Sequence, residues 1–326
     1  MGHRQHEEAS SLWRPRYWLT WLGLVLWRLF SALPLRILWL LGGGLGMILY
    51  ALLHARRRVA VRNIERCFPD RSESDHRTLV RRHFRAVGRA IFDAGVAAWS
   101  SSDRLRQLVH VEGLDRLQSA RAAGQPIILL APHFVLLPIC ALYLAELEPV
   151  IAMYKRLKNQ VLHKGYRRAC TGESTSSRLL DWILGKRRRA FNLELVEHRQ
   201  GLRPIVHALR AGIPFYYLPD QDLGRRHSEF VPFFGIPAAT VTAVSGFAKL
   251  SKATVILCWA SQKPLGAGYE LNFSEPLGGF PSQSEAEDAL RINRCIESVV
   301  ADIPDQYFWL HKRFKTRPPG EAAFYD

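Results

Sequence analysis

Apolar residues along this chain occur in three textures. From residue 17 to 53 they dominate, rich in tryptophan and broken by Arg28, Pro34 and Arg36. From 56 to about 100 they recur at helical spacing among arginines. This predicts a helix through Val59-Ala60-Val61-Arg62-Asn63-Ile64, a break at Cys67-Phe68-Pro69-Asp70, and a polar-faced helix from Ser74 on, capped by Ser72, Ser74 or Asp75. Farther on, short apolar runs alternate with amphipathic stretches. Residues 108–114 read as a strand and turn, and 114–123 as a helix stopped by Gly124. The run Pro126-Ile127-Ile128-Leu129-Leu130-Ala131 is continuous, as in a strand buried on both faces. Helices over 137–147, 202–211 and 240–251, and strands over 149–153, 214–218 and 254–260, complete the pattern. Strands alternating with helices predict an α/β fold with a largely parallel central sheet flanked by helices. The division expected is an N-terminal membrane anchor over 1–55 and one α/β domain over 56–326.

The apolar N-terminal segment is too long for a signal peptide, contains arginines and lacks a small-residue cleavage site. Residues 37–53 approach the ~20 that span a bilayer. Gly42, Gly43, Gly44 and Gly46 weaken that helix by roughly 1 kcal/mol each and permit close packing. Two seatings fit: a single spanning helix with Arg56, Arg57, Arg58 and Arg62 on the cytoplasmic side, or a helical hairpin turned near Pro34 with Trp13, Trp18, Trp21, Trp27 and Trp39 at the interface. A buried helical pair in a soluble domain is the blander alternative.

Composition narrows the partner. Lys and Arg number 45 against 29 acidic residues, a formal charge of +16. Such a surplus suits nucleic acid, an acidic membrane surface or an acidic protein. Its concentration on both flanks of the apolar segment favours anionic lipid, and no zinc-finger spacing or RNA-binding aromatic signature supports nucleic acid. The five cysteines stand singly without a CxxC pair, which argues against a disulfide framework or a structural zinc site. Cys140 and Cys258, inside apolar runs, read as core residues.

Candidate chemistry sits where strands end, because ligands of such sheets bind beyond the carboxyl ends of strands. His133 follows the 126–131 strand and precedes a helix, a position from which an imidazole can take a proton from an alcohol. Tyr154-Lys155-Arg156, after the next strand, supplies cations for a phosphate or an oxyanion. Pro219-Asp220-Gln221-Asp222, after another, is followed by Arg225 and Arg226; its carboxylates could orient a base, bind an acceptor or cap a loop. A glycine-rich phosphate loop, an HExxH helix and a GxSxG elbow are absent from the sequence.

Four blocks resemble the late acyltransferases of lipid A biosynthesis, the lauroyl and myristoyl transferases related to glycerolipid acyltransferases: RRRVAVRNIERCFPD (56–70), GQPIILLAPHF (124–134), YYLPDQDLG (216–224) with VPFFGIPAATV after it, and DQYFWLHKRFKTRP (305–318). The resemblance implies the glycerolipid-acyltransferase fold and acyl transfer from acyl carrier protein to a hydroxyl of a lipid A precursor at the cytoplasmic face of the bacterial inner membrane, with no cofactor or metal. It assigns His133 as general base. The family motif is a histidine, four residues, then Asp or Glu; here that last position is Pro138. Asp220 or Asp222 is the expected substitute, with Lys155, Arg156, Gln221 and Arg225 as substrate-binding candidates. A backbone carbonyl as orienter, or lost catalysis leaving a lipid-binding relative, are alternatives. So is another acceptor: a lysophospholipid, ornithine lipid or pigment-like lipid. Residues 170–184 read as a longer stretch than usual. Trp309, His311, Lys312 and Arg313 either line the acceptor cleft or pin the carboxyl terminus.

Overall fold

The computed structural model describes residue 15 and residues 18–154, 193–197 and 201–326. Lys155, Arg156 and the 170–184 stretch lie outside the described residues.

Two apolar helices come first, α1 (Trp18–Ser31) and α2 (Leu35–Leu52), joined by a turn that ends at Pro34. They are followed by α3 (His54–Cys67) and the long α4 (Glu73–Trp99), whose amino terminus is capped by Ser72 Oγ accepting from the Asp75 amide at 3.2 Å. α2 lies along α4 with almost no side chain between them. A Cβ placed on Gly88 would stand 2.2 Å from the Gly42 carbonyl oxygen and 2.3 Å from the Gly46 nitrogen, so backbone meets backbone there. Gly42 and Gly46, which weaken α2 as a helix, are therefore what seat it. α1 joins the same face of α4 through Trp27, whose indole donates to the Ile91 carbonyl and packs edge-on against Trp99.

Next come α5 (Ser102–Leu108), β1 (Val109–Glu112), α6 (Leu114–Ala122), β2 (Ile127–Leu130), α7 (Leu137–Leu147), β3 (Val150–Tyr154), β4 (Leu193–Glu197), α8 (Arg203–Arg210) and β5 (Phe215–Tyr217). The chain continues through β6 (Ser228–Phe233), β7 (Ile236–Val241), α9 (Ala243–Ser251), β8 (Thr254–Gln262), β9 (Tyr269–Phe273) and α10 (Glu285–Asp302). Seven strands form one sheet in the order β1-β9-β8-β2-β5-β3-β4. The five from β8 to β4 run parallel; β9 is antiparallel to β8, and β1 follows β9. β6 and β7 make a separate hairpin. The expected α/β architecture holds, with a reversed pair added at one edge.

The central strand β2 is buried at every position, as its unbroken apolar run requires. One apolar cluster on the sheet includes Leu129, Ile139, Tyr216, Ile256 and Leu271; the other includes Ile128, Leu130, Phe215, Phe247 and Trp309. Cys140 and Cys258 are core residues, buried and free. The residues predicted as one helix over 240–251 divide: Thr240 and Val241 end β7, and the helix begins at Ala243.

Candidate active site

β2 and β5 are parallel neighbours in a register that pairs Leu130 with Tyr217. His133 and Asp220 each lie three residues beyond that pair, so equal offsets from one register position bring them side by side. Their contact has two parts: the His133 backbone amide donates to Asp220 Oδ2 at 2.9 Å, and Nδ1 lies 2.7 Å from Asp220 Oδ1. The carboxylate is fully buried, while the imidazole keeps 17% of its side-chain surface exposed. Burial alone would raise the Asp220 pKa; the His133 charge and hydrogen bonds outweigh it and hold the carboxyl well below its usual range. An ionised carboxylate can only accept, so Nδ1 carries the proton and Nε2 holds the free lone pair.

Pro138, at the family's acid position, is exposed in the first turn of α7, where a proline fits because that turn's amides need no intrahelical partner. Glu146 and Glu148, farther along, are engaged elsewhere: Glu146 accepts from Ser102 Oγ, and Glu148 pairs with Arg121. Asp220 thus occupies the face of the imidazole that an orienting acid must reach.

Asp222 does something different. Its oxygens accept from the Thr316 amide at 2.6 Å, the Thr316 hydroxyl at 2.7 Å and the Gly224 amide at 3.0 Å. It ties the loop after β5 to the carboxyl-terminal segment and bonds to neither nitrogen of His133. Arg225, exposed, donates to the Arg317 carbonyl, a second tie to that segment, and Gln221 is half-buried next to Asp220. β3, which leads toward Lys155 and Arg156, neighbours β5 and runs in the same direction, so it ends at the sheet's His133 end.

The carboxyl-terminal block completes the site. The Phe308 amide donates to the His133 carbonyl at 2.8 Å, and the Val135 amide to the Gln306 carbonyl at 2.9 Å. Tyr307, Trp309 and Arg313 are fully buried. Arg313 spends its guanidinium on the Ala239 carbonyl, the Thr240 hydroxyl and Asn293, a structural use of a charge the sequence also offered to the cleft. Asn63 of α3 donates to the Trp309 and His311 carbonyls, which explains why the 56–70 block accompanies the 305–318 block. His311 sits at the site itself, its ring centroid 6.3 Å from that of His133. Tyr307 also faces the dyad; burial, then the Asp220 charge, raises its phenol.

Over residues 6–316 the chain matches the family described as bacterial lipid A biosynthesis acyltransferase. Similar proteins include the lipid A biosynthesis palmitoleoyltransferase of Escherichia coli K12, 33% identical with 95% of each chain covered. The lauroyltransferase of the same organism is 33% identical, covering 97% of this chain and 98% of its own. The myristoyltransferase is 28% identical over 98% of this chain and 94% of its own.

Proposed function

The chain belongs to the bacterial lipid A biosynthesis acyltransferases, and from that premise we propose that it moves a fatty acyl group from acyl carrier protein to a hydroxyl of a lipid A precursor at the cytoplasmic face of the inner membrane. The observation that carries the reading is the His133–Asp220 pair, which supplies an oriented base without an acid at position 138. His133 Nε2 takes the proton of the acceptor hydroxyl as its oxygen attacks the thioester carbonyl carbon. Asp220 stabilises the imidazolium that forms. Collapse of the tetrahedral intermediate breaks the carbon–sulfur bond, and the proton on His133 passes to the departing thiolate. The products are the acyl ester and the carrier's free thiol. Lys155 and Arg156 are assigned to the oxyanion or to an acceptor phosphate, and Gln221 and Arg225 to the acceptor.

Membrane seating follows from α1 and α2. Among the described residues, α2 is the one helix long and apolar enough to cross a bilayer. Leu19, Leu40, Ile48 and Leu52 are exposed on the two helices at 83, 74, 56 and 68%, which favours a lipid contact. α4, packed against α2, presents exposed Arg81, Arg82 and Arg85. Those guanidiniums stay at the headgroups, so the hairpin lies in the membrane surface and draws on anionic lipid. The same positive charge steers an acidic carrier protein.

The test is acyl transfer in detergent micelles from acyl carrier protein, with a lipid A precursor and a lysophospholipid as parallel acceptors. His133→Ala should lose at least about 100-fold in rate. A wild-type preference for the lysophospholipid would move the acceptor assignment. Absence of transfer to both would overturn the reading.

A further inference from the structure

Two buried polar atoms stand out at the site: the Tyr307 hydroxyl, whose hydrogen-bond partner is Asp220, and His311 Nε2, which has no hydrogen-bond partner among the described residues. The Tyr307 hydroxyl has Asp220 as its leading charged neighbour and belongs with the dyad. His311 also feels the Asp220 charge but makes no hydrogen bond to it, so its Nε2 is left unclaimed. The other ring nitrogen, Nδ1, lies 2.7 Å from the Phe308 carbonyl, which can only accept, so Nδ1 carries the hydrogen. Burial lowers the ring's pKa to about 4 despite the opposing pull of Asp220, and the imidazole is neutral at ordinary pH. Nε2 is therefore a bare, shielded lone pair beside the general base. Its place is fixed by the backbone, because Phe308, which accepts from His311, also donates its amide to the His133 carbonyl. An unfilled buried acceptor is a cost to the fold unless a donor arrives.

We propose that His311 is an acceptor-binding residue whose Nε2 receives a hydrogen bond from a second polar hydrogen of the acceptor lipid, a hydroxyl or amide N–H next to the hydroxyl that His133 deprotonates. The inference rests on the acyl-transfer reading above. The thioester itself brings no N–H or O–H, and the nearest one on the donor side, the amide of the carrier's pantetheine arm, is two methylenes beyond the sulfur; loss of a bond to that amide would raise the donor KM in place of the acceptor KM. The bond from the acceptor lipid selects acceptors carrying a second polar hydrogen near the reacting hydroxyl, at a spacing set by two rings whose centroids lie 6.3 Å apart, and rejects simple alcohols.

Two substitutions separate this role from a structural one. In His311→Asn the amide N–H takes the place of Nδ1–H and keeps the bond to Phe308, while the Nε2 acceptor is lost. In His311→Gln the carbonyl oxygen reaches the Nε2 position, while the Phe308 bond is lost. His311→Asn is expected to raise the acceptor KM by about tenfold, with donor KM and melting temperature unchanged, and His311→Gln to hold acceptor KM within about threefold. The reverse ranking, with His311→Asn unimpaired, would overturn the proposal, as would a fall in kcat alone in both. Should either variant fail to fold, the ¹⁵N resonance of His311 Nε2 in the wild type gives the answer. It should move upfield on adding acceptor lipid and stay put on adding donor; no movement with acceptor overturns the proposal. Absence of transfer by the wild type would overturn both readings, whereas normal acceptor KM in His311→Asn overturns this one alone.

Discussion

Asp220→Asn is the sharpest perturbation of the dyad, because it keeps shape while changing hydrogen-bond chemistry. In the native pair one carboxylate oxygen accepts from the His133 backbone amide and the other from Nδ1. The backbone amide can only donate, so the asparagine must turn its carbonyl oxygen toward it. The asparagine NH2 then faces Nδ1 and forces the ring proton onto Nε2, where the base should be. Charge is lost as well: at ~4 Å in an effective dielectric of ~20, a carboxylate steadies an imidazolium by about 4 kcal/mol. That corresponds to about 10³-fold in rate, and the tautomer error adds to it; the same exchange in a Ser-His-Asp hydrolase costs about 10⁴-fold. The expected result is a kcat lower by 10³–10⁴-fold, roughly, with acceptor KM little changed. Single-turnover transfer in micelles measures it, with a melting curve to show that the variant folds. A folded Asp220→Asn protein keeping more than about a tenth of wild-type kcat would refute the orienting role.

Pro138→Glu should change kcat by no more than about threefold, since Asp220 already holds Nδ1 and position 138 faces solvent; a large gain would show the dyad to be incomplete. Asp222→Ala removes three accepted hydrogen bonds and should cost about 2–3 kcal/mol. Its melting temperature should fall roughly 3–5 °C while kcat of the folded protein stays near wild type. Gly88→Ala forces a methyl into the α2 backbone and should destabilise by about 1–3 kcal/mol, whereas Gly44→Ala, with open space around it, should be neutral or slightly stabilising; thermal unfolding compares them. The buried Asp93 carboxyl is raised to about 7 by burial, against bonds from Tyr269 and Gln262. The folded state holds that proton after the unfolded chain has released it, so the contribution is full below ~4 and is lost as pH rises toward 7. Asp93→Asn should therefore flatten the stability profile between those limits relative to wild type, as denaturant titrations at several pH values would show.

His133 could be picked out from its place after a strand, and Asp220 and Asp222 could be picked out together for the same reason. Choosing between them needed the β2–β5 pairing, which a single chain does not declare: Asp220 matches His133 in offset from Leu130 and Tyr217, while Asp222, two residues on, meets Thr316. The buried parallel strands were legible because a run such as residues 127–130 has few other homes. The β6–β7 hairpin was not. Its two-residue turn is Phe234-Gly235, both at positive φ, where asparagine or aspartate usually advertises the bend. Pro232 and Pro237 inside its strands also read as breakers, though strands outside the main sheet tolerate them. β9 is short, and α10 announces itself by Ser284 and a negatively charged first turn, a signal the apolar pattern alone does not weigh. The tail's two readings divide by residue: Trp309 and Arg313 hold the fold, and His311 faces the dyad.

The return of residues 305–316 to His133 and Asp222 sets a schedule for the newborn protein. Strand β2 and its histidine leave the ribosome early, yet the backbone brace on His133 comes from Phe308 and the latch on Asp222 from Thr316. Until those late residues emerge, the half-made chain holds an unbraced imidazole and an untied loop after β5. Apolar helices that reach a membrane first would therefore carry an inert precursor, and competence for chemistry would arrive abruptly, near the end of synthesis.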